Sequence, residues 1–295
     1  MATLYTQQGK NTRNTWLLMT LFFVIIIALG YFFAQRYGNP NILYICVVFS
    51  IVMNIVSYWY SDKIALSIAK AHPATRAQYF DFYTLVENLA ITAGLPMPKI
   101  YVIEDSSPNA FATGRDKKHA VIAVTTGLLS IMNKTELEGV ISHEMSHIGN
   151  KDMLLSTVAV VLAGFIAIVS DMMIRMTLFG GRDNDREGGG LFAIIGILLA
   201  ILAPIFAMLI QLAISRKREY LADASGALLT RYPEGLASAL EKLQNYGRPM
   251  QAQSTAIAHL YISDPLGNGK FAKKTMQLFS THPPLEERIK ILRAM

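Results

Sequence analysis

Apolar and polar positions divide the chain into four long hydrophobic runs separated by polar blocks of unequal length. Trp16 to Phe33 and Ile42 to Tyr60 carry no charged residue. Each suffices for a hydrocarbon core about 30 Å thick, which takes roughly 20 helical residues to cross. A short turn, Gln35 to Asn41, holds Gly38 and Pro40 between them, so these runs predict a helical hairpin. The second run ends in Tyr58-Trp59-Tyr60, side chains that suit a membrane–water interface. No small-x-small cleavage site follows the first run, which reads as an anchor and not a signal peptide. Residues 153–174 and 191–214 are the third and fourth candidate spans, joined by the glycine-rich loop Arg175 to Gly190. Pro204 predicts a kink in the fourth, because it removes a backbone hydrogen bond.

Between the hairpins the periodicity changes. Tyr79 to Ala93 is apolar at helical spacing and stops at Gly94 with Pro96 beyond. Lys99 to Ile103 and His119 to Val124 alternate or run β-branched, predicting strands, and Asn109 to Gly114 predicts a third, short one. Glu138 to Asp152 predicts a helix, with a capping box at Thr135 and Glu138 and a stop at Gly149-Asn150. After the fourth run Ser215 to Ala227 reads as helix, and a last helix starts at Leu285 behind Pro283-Pro284. The expected organisation is a tail (1–14), a hairpin with spans 16–33 and 42–60, a polar half-domain (61–152), a second hairpin (153–214) and a second half-domain (215–295).

Composition supports a membrane protein: 52% hydrophobic and 16% charged residues, with a mean hydropathy of +0.34. The net charge of +6 forms no basic stripe with aromatic partners, so nucleic acid is not the expected partner. Basic residues flank the apolar runs, where anionic headgroups of a lipid bilayer favour them. With four spans, Lys10 and Arg13, Lys63 and Lys70, and Arg216-Lys217-Arg218 fall on one side, expected to be cytosolic together with both termini. Arg175, Arg182 and Arg186 fall on the other side, accompanied by Asp183, Asp185 and Glu187. Cys46 is the single cysteine, so no intramolecular disulfide can form.

The helix 138–152 carries the chemistry. His143 and His147 are four residues apart and therefore on one helical face, where both imidazoles reach one ion, with Glu144 beside them. Neutral imidazole suits Zn2+, and a carboxylate next to the ion serves as general base in hydrolysis. Catalytic zinc takes three protein ligands. Glu219 and Asp223 repeat the four-residue spacing after the fourth run, offering a carboxylate ligand and a partner for a histidine's free ring nitrogen. His147 precedes the third run and Glu219 follows the fourth by similar lengths, so antiparallel spans bring both to about the same height, roughly 7 to 10 Å above one membrane face. Asn109 to Gly114 is the candidate edge strand for a peptide. His282, His259, Arg288 and Tyr220 are candidates to steady an oxyanion or substrate, and His72 and His119 read as surface residues. A zinc-bearing scaffold without turnover and a transporter are the competing classes. An intact base at Glu144 disfavours the first, and spans without mid-membrane charge disfavour the second.

These residues resemble the HtpX heat-shock membrane metalloproteases, relatives of the prenyl-protein endoproteases. The likeness rests on Asn109-Ala-Phe-Ala-Thr-Gly114, Val124 to Leu129, His143 to Asp152, Ser215 to Ala227, and Ser280-Thr-His-Pro-Pro-Leu285 with Arg288. It implies a mainly α membrane protein with a small α+β zincin-like (gluzincin) domain. His143, His147 and Glu219 would bind one zinc per chain, with Glu144 as base and Asp223 behind a ligand. It further implies a multi-pass enzyme of the bacterial inner membrane that faces the cytosol and degrades damaged membrane proteins under stress. Prenyl-protease relatives have additional spans enclosing a chamber, whereas this chain offers four candidate spans.

Overall fold

The computed structural model describes residues 4–159, 161–162, 216–246, 250, 257, 260–263 and 283–295. The fourth run, most of the third, the loop between them, His259 and His282 lie outside the described residues.

Helices α1 (Leu4–Tyr37) and α2 (Asn41–Ile68) form the expected hairpin, turning at Gly38, whose φ of +63° suits a residue without Cβ. Their close approach depends on Gly30, where a Cβ would come within 2.6 Å of Cys46 Cβ. Both contain stretches long and apolar enough to cross a membrane, Gln8–Arg36 and Asn41–Ile68. Their outer faces expose Trp16, Tyr44, Ile45 and Val48, as a lipid-facing surface requires. The helices outrun the apolar segments that predicted them. The last turns of α2 continue past Tyr60 because Ala65, Leu66 and Ala69 pack beneath the sheet against Ile103, Phe111, Val121 and Ala123.

The sheet comprises β1 (His72–Pro73), β2 (Lys99–Ile103), β3 (Ala110–Gly114) and β4 (Ala120–Thr125) in the order β1-β2-β4-β3. β2 and β4 run parallel, while β1 and β3 are antiparallel to their neighbours. The three longer strands stand where the pattern placed them. β1 is an addition too short for any periodicity to announce. Side chains of Ile100, Val102, Ala110, Ala112, Ile122 and Val124 form one face of the sheet and pack on α3 (Phe80–Ala93) and the histidine helix. Gly94 closes α3 in the left-handed conformation.

After α4 (Thr126–Ile131) comes α5 (Lys134–Asn150), the histidine helix. Its capping box is Asn133 with Glu136, one pair earlier than the expected Thr135 with Glu138. Thr135 instead donates its hydroxyl proton to the Asn133 side chain. The correction follows from burial. Starting the helix at Lys134 turns Leu137, Val140, Ile141 and Met145 into the core. The helix ends at Asn150 as expected, but the turn is made by Lys151, at φ 57°, and not by glycine.

Helices α6 (Arg216–Thr230) and α7 (Pro233–Tyr246) cross α5, and α8 (Leu285–Arg293) packs on both. Glycines set the spacing: a Cβ on Gly139 would lie 2.5 Å from the Leu236 nitrogen, and one on Gly226 3.0 Å from the His143 nitrogen. Residues 153–159 and 161–162 are helical, and Leu155, Val158, Ala159 and Leu162 bury against Leu18, Met19 and Phe22 of α1.

Candidate metal centre

α5 presents His143 and His147 one turn apart, with their Nε2 atoms 3.1 Å from each other. From α6, brought close by Gly226, Glu219 points at the same place. Its carboxylate oxygens lie 3.7 Å from each Nε2. Ligand atoms of the three residues all fall within 4.8 Å of one another. Two imidazoles and a carboxylate at such separations fit a divalent ion with bonds of about 2.0–2.2 Å, and this is the donor set of a catalytic rather than a structural zinc site. Glu144 lines the same cleft, with Ala112 of β3 opposite and Met153 and Ser156 at its floor.

Behind each histidine stands a carboxylate. Asp223 Oδ1 lies 2.9 Å from His143 Nδ1, and both oxygens of Asp152 lie 3.1 Å from His147 Nδ1. A neutral imidazole with Nδ1–H so engaged offers its Nε2 lone pair to an ion. The carboxylates in turn face arginines. Arg288 Nε and NH2 donate to Asp223 at 2.8 and 2.7 Å, a bidentate pair with Arg288 completely buried. Arg218, buried at the start of α6, faces Asp152 and Glu219.

These charges set the protonation pattern. Burial raises the pKa of Asp223, but Arg288 and the hydrogen bonds to it and His143 outweigh this and hold it down at about 2. Burial lowers the pKa of Arg288, yet Asp223, Glu219 and Glu144 together raise it. For His147, desolvation disfavours the imidazolium while Asp152, Glu219 and Glu144 favour it, so that the pKa stands at about 10 without an ion.

The remaining candidates take structural places around this cluster or lie at the surface. Arg288, a candidate for contacting substrate or oxyanion, is wholly enclosed: its guanidinium bonds Asp223, lies 3.6 Å from a Glu219 oxygen and reaches the carbonyl of Ile262. Asn109 is buried too. Its side chain donates to the Ser263 carbonyl and accepts from the Ser263 and Ala110 nitrogens, so it fastens a loop and is not free to bind a peptide. Tyr220 bonds Glu287. His72 and His119 are at the surface, the latter beside Asp116. Asp152, in contrast, gained no role from the sequence. It lies past the helix stop, and only a left-handed lysine turns it back onto His147.

A helix bearing two histidines and a glutamate, a carboxylate from a second helix within ligand distance, and an edge strand across the cleft define a metallopeptidase. The chain belongs to peptidase family M48, whose sequence model matches residues 78–295. It is 48% identical over 300 residues to a protease HtpX homolog of Caldanaerobacter subterraneus subsp. tengcongensis, and 47% identical over 300 residues to one of Thermoanaerobacter pseudethanolicus. Each alignment covers 99% of this chain and 98% of the relative. The crystal structure of S. mikatae Ste24p shares the fold, with a TM-score of 0.52 and 20% identity, over 98% of this chain and 67% of that one. The protein is thus a metalloprotease, a hydrolase that acts on proteins, carrying two apolar helices of membrane-spanning length.

Proposed function

We propose a zinc-dependent endopeptidase, multi-pass in the cytoplasmic membrane, that cleaves misfolded or damaged membrane proteins at the cytosolic face. The convergence of His143, His147 and Glu219 on one point, with Glu144 beside them, carries this reading. The three residues are the metal ligands, and Asp223, held by Arg288, orients His143. A bound zinc supplies Lewis acidity for water and for the substrate carbonyl. Glu144 accepts the proton of the attacking water and delivers it to the departing amine. The half-domains 61–152 and 215–295 build the cytosolic unit, and residues 153–174 and 191–214 add two spans to the first hairpin.

Substrate backbone lies along β3. The Ala110 carbonyl already accepts from Ile262 N at 2.9 Å, on the side of β3 away from β4. Pleating then turns the peptide groups of Ala112 to the same free side, and Ala112 lines the cleft. The usable edge is therefore nearer Gly114 than Asn109, and it reads main chain rather than sequence. Membrane-proximal segments suit this cleft. Its floor is the start of the third run, and Thr157 of that run hydrogen-bonds Thr113 of β3 at 3.0 Å.

Zinc content and casein cleavage in detergent test the reading, with wild type beside Glu144→Gln and Glu219→Ala. Expected are about one zinc per chain in the first two, depletion in the third, and cleavage by wild type alone. Equal zinc in all three removes Glu219 from the ligand set, and cleavage by Glu144→Gln removes the base. Labelling of cysteines placed between Arg175 and Gly190, in a Cys46→Ser background, tests the spans. Modification from the cytosolic side would refute the second hairpin.

A further inference from the structure

The last carbonyls of an α-helix lack partners within the helix and need them from elsewhere. At the end of α5 two come from a segment about 140 residues away in sequence. Gln8 Nε2 donates to the Gly149 carbonyl at 2.8 Å, and the buried Asn11 Nδ2 to the Asn150 carbonyl at 3.1 Å. Both donors belong to α1, below the point where its apolar run begins. With these two peptide planes pinned, Lys151 takes its left-handed conformation and Asp152 folds back, its nitrogen 3.3 Å from the His147 carbonyl. That return brings the buried carboxylate of Asp152 against His147 Nδ1.

We propose that Asp152 is a positioning residue for the metal ligand His147, and that Gln8 and Asn11 of α1 hold the turn that places it. The metal centre thereby has two histidine–carboxylate pairs, His143–Asp223, backed by Arg288, and His147–Asp152, and the second is fastened to the first membrane helix. Three observations support the assignment independently. Both Asp152 oxygens are equidistant from Nδ1, so the ring is fixed in orientation as well as in tautomer. Arg218, one residue before Glu219 on α6, is buried, and its charge acts on both Asp152 and Glu219. Asn11 is buried at the α1–α5 contact, although an asparagine on a helix is ordinarily exposed.

The inference rests on His147 holding the ion. Its test is zinc affinity of the full-length protein in detergent, by competition with a chromogenic chelator, together with the visible spectrum of the cobalt(II)-loaded form. Asp152→Asn keeps size and removes charge. It is expected to weaken zinc about ten- to a hundredfold, the range for partners of metal-bound histidine, and to shift the cobalt bands. The double variant Gln8→Ala/Asn11→Ala is expected to weaken zinc by about fivefold, corresponding to one net hydrogen bond. Thr12→Ala, whose hydroxyl donates to the Gln8 carbonyl of its own helix and not to α5, is expected to match wild type. Wild-type affinity and spectrum in Asp152→Asn overturn the inference alone. A wild type that binds no zinc overturns the metal reading with it. If Asp152→Asn melts early even without metal, Asp152→Glu decides: recovered zinc binding supports positioning, and a folded glutamate variant no better than asparagine overturns it.

Discussion

Glu144 shares its cleft with two histidines whose Nδ1 atoms each face a carboxylate, and in the proposed function it is the general base. Replacing it by glutamine is expected to leave zinc in place and reduce cleavage by about 10²- to 10⁴-fold, the usual contribution of a general base. His147 predicts how zinc binding depends on pH. Its metal-free pKa of about 10 lies above the unfolded value of 6.5, so a proton must leave before the ion enters. Apparent zinc affinity is therefore expected to rise about tenfold per pH unit between pH 6.5 and 8.5, measured by chelator competition. Asp223 works in the opposite sense. Its pKa of about 2 lies below the unfolded 3.8, so its stabilisation of about 2 kcal/mol is complete above pH 4 and lost toward pH 2, which acid denaturation would show. Removing its partner by Arg288→Met strands a buried carboxylate and is expected to cost about 3 to 5 kcal/mol. Local spacing puts His143 with His147, and Glu219 with Asp223, each pair on one helical face, and the fold brings His143, His147 and Glu219 together. Nothing local announced Arg288 behind Asp223, a partnership across 65 residues, or Asp152, which depends on a left-handed Lys151.

At the scale of elements, α5 is positioned by what crosses it. The backbone of Leu236 leaves no room at Gly139, whereas nothing lies within 4 Å of a Cβ on Gly149 of the same helix. Gly139→Ala is accordingly expected to destabilise by about 1 to 3 kcal/mol, as overpacking does. Gly149→Ala is expected to be neutral or to stabilise by up to about 1 kcal/mol from helix propensity. Thermal unfolding of both variants distinguishes a packing constraint from a general dislike of side chains on this helix. Strands β2 and β4 and helix α3 were readable because each is amphipathic or β-branched over most of its length and ends near turn residues, and β3 because it is a short apolar stretch closed by Gly114. The capping box was not. Asn133 with Glu136 and Thr135 with Glu138 both satisfy its pattern, and the choice belongs to the core that Leu137 and Ile141 must reach. The strap Leu260–Ser263, which pairs with Ala110 and borders the cleft, escaped as well, since its sequence has no period to betray it.

For the molecule as a whole, the apolar hairpin is joined to the metal centre rather than tethered beside it. Leu18, Met19 and Phe22 pack on the start of the third run, and the polar end of α1 caps α5. Binding of an ion to the folded state alone stabilises it by about 2.7 kcal/mol at a free concentration a hundred times Kd. Stripping zinc with a chelator is therefore expected to lower the melting temperature of the whole chain, including its membrane hairpin. Separate transitions for hairpin and centre would contradict the coupling. Hydropathy made the first hairpin legible, and charge distribution suggested which side holds the centre. That α1 would also touch the histidine helix was hidden, because Gln8 and Asn11 are unremarkable polar residues until a helix end is set against them.

Arg288 lies on α8, the last of the described helices, yet it completes the histidine–carboxylate chain that begins on α5. During synthesis the ribosome delivers both histidines, Glu144 and Glu219 well before that guanidinium. Until α8 docks, Asp223 lacks the counter-charge of Arg288. A nascent chain already inserted by its hairpin thus carries the parts of a protease without the assembled centre. The order of emergence therefore leaves the centre complete only when the last described helix has docked.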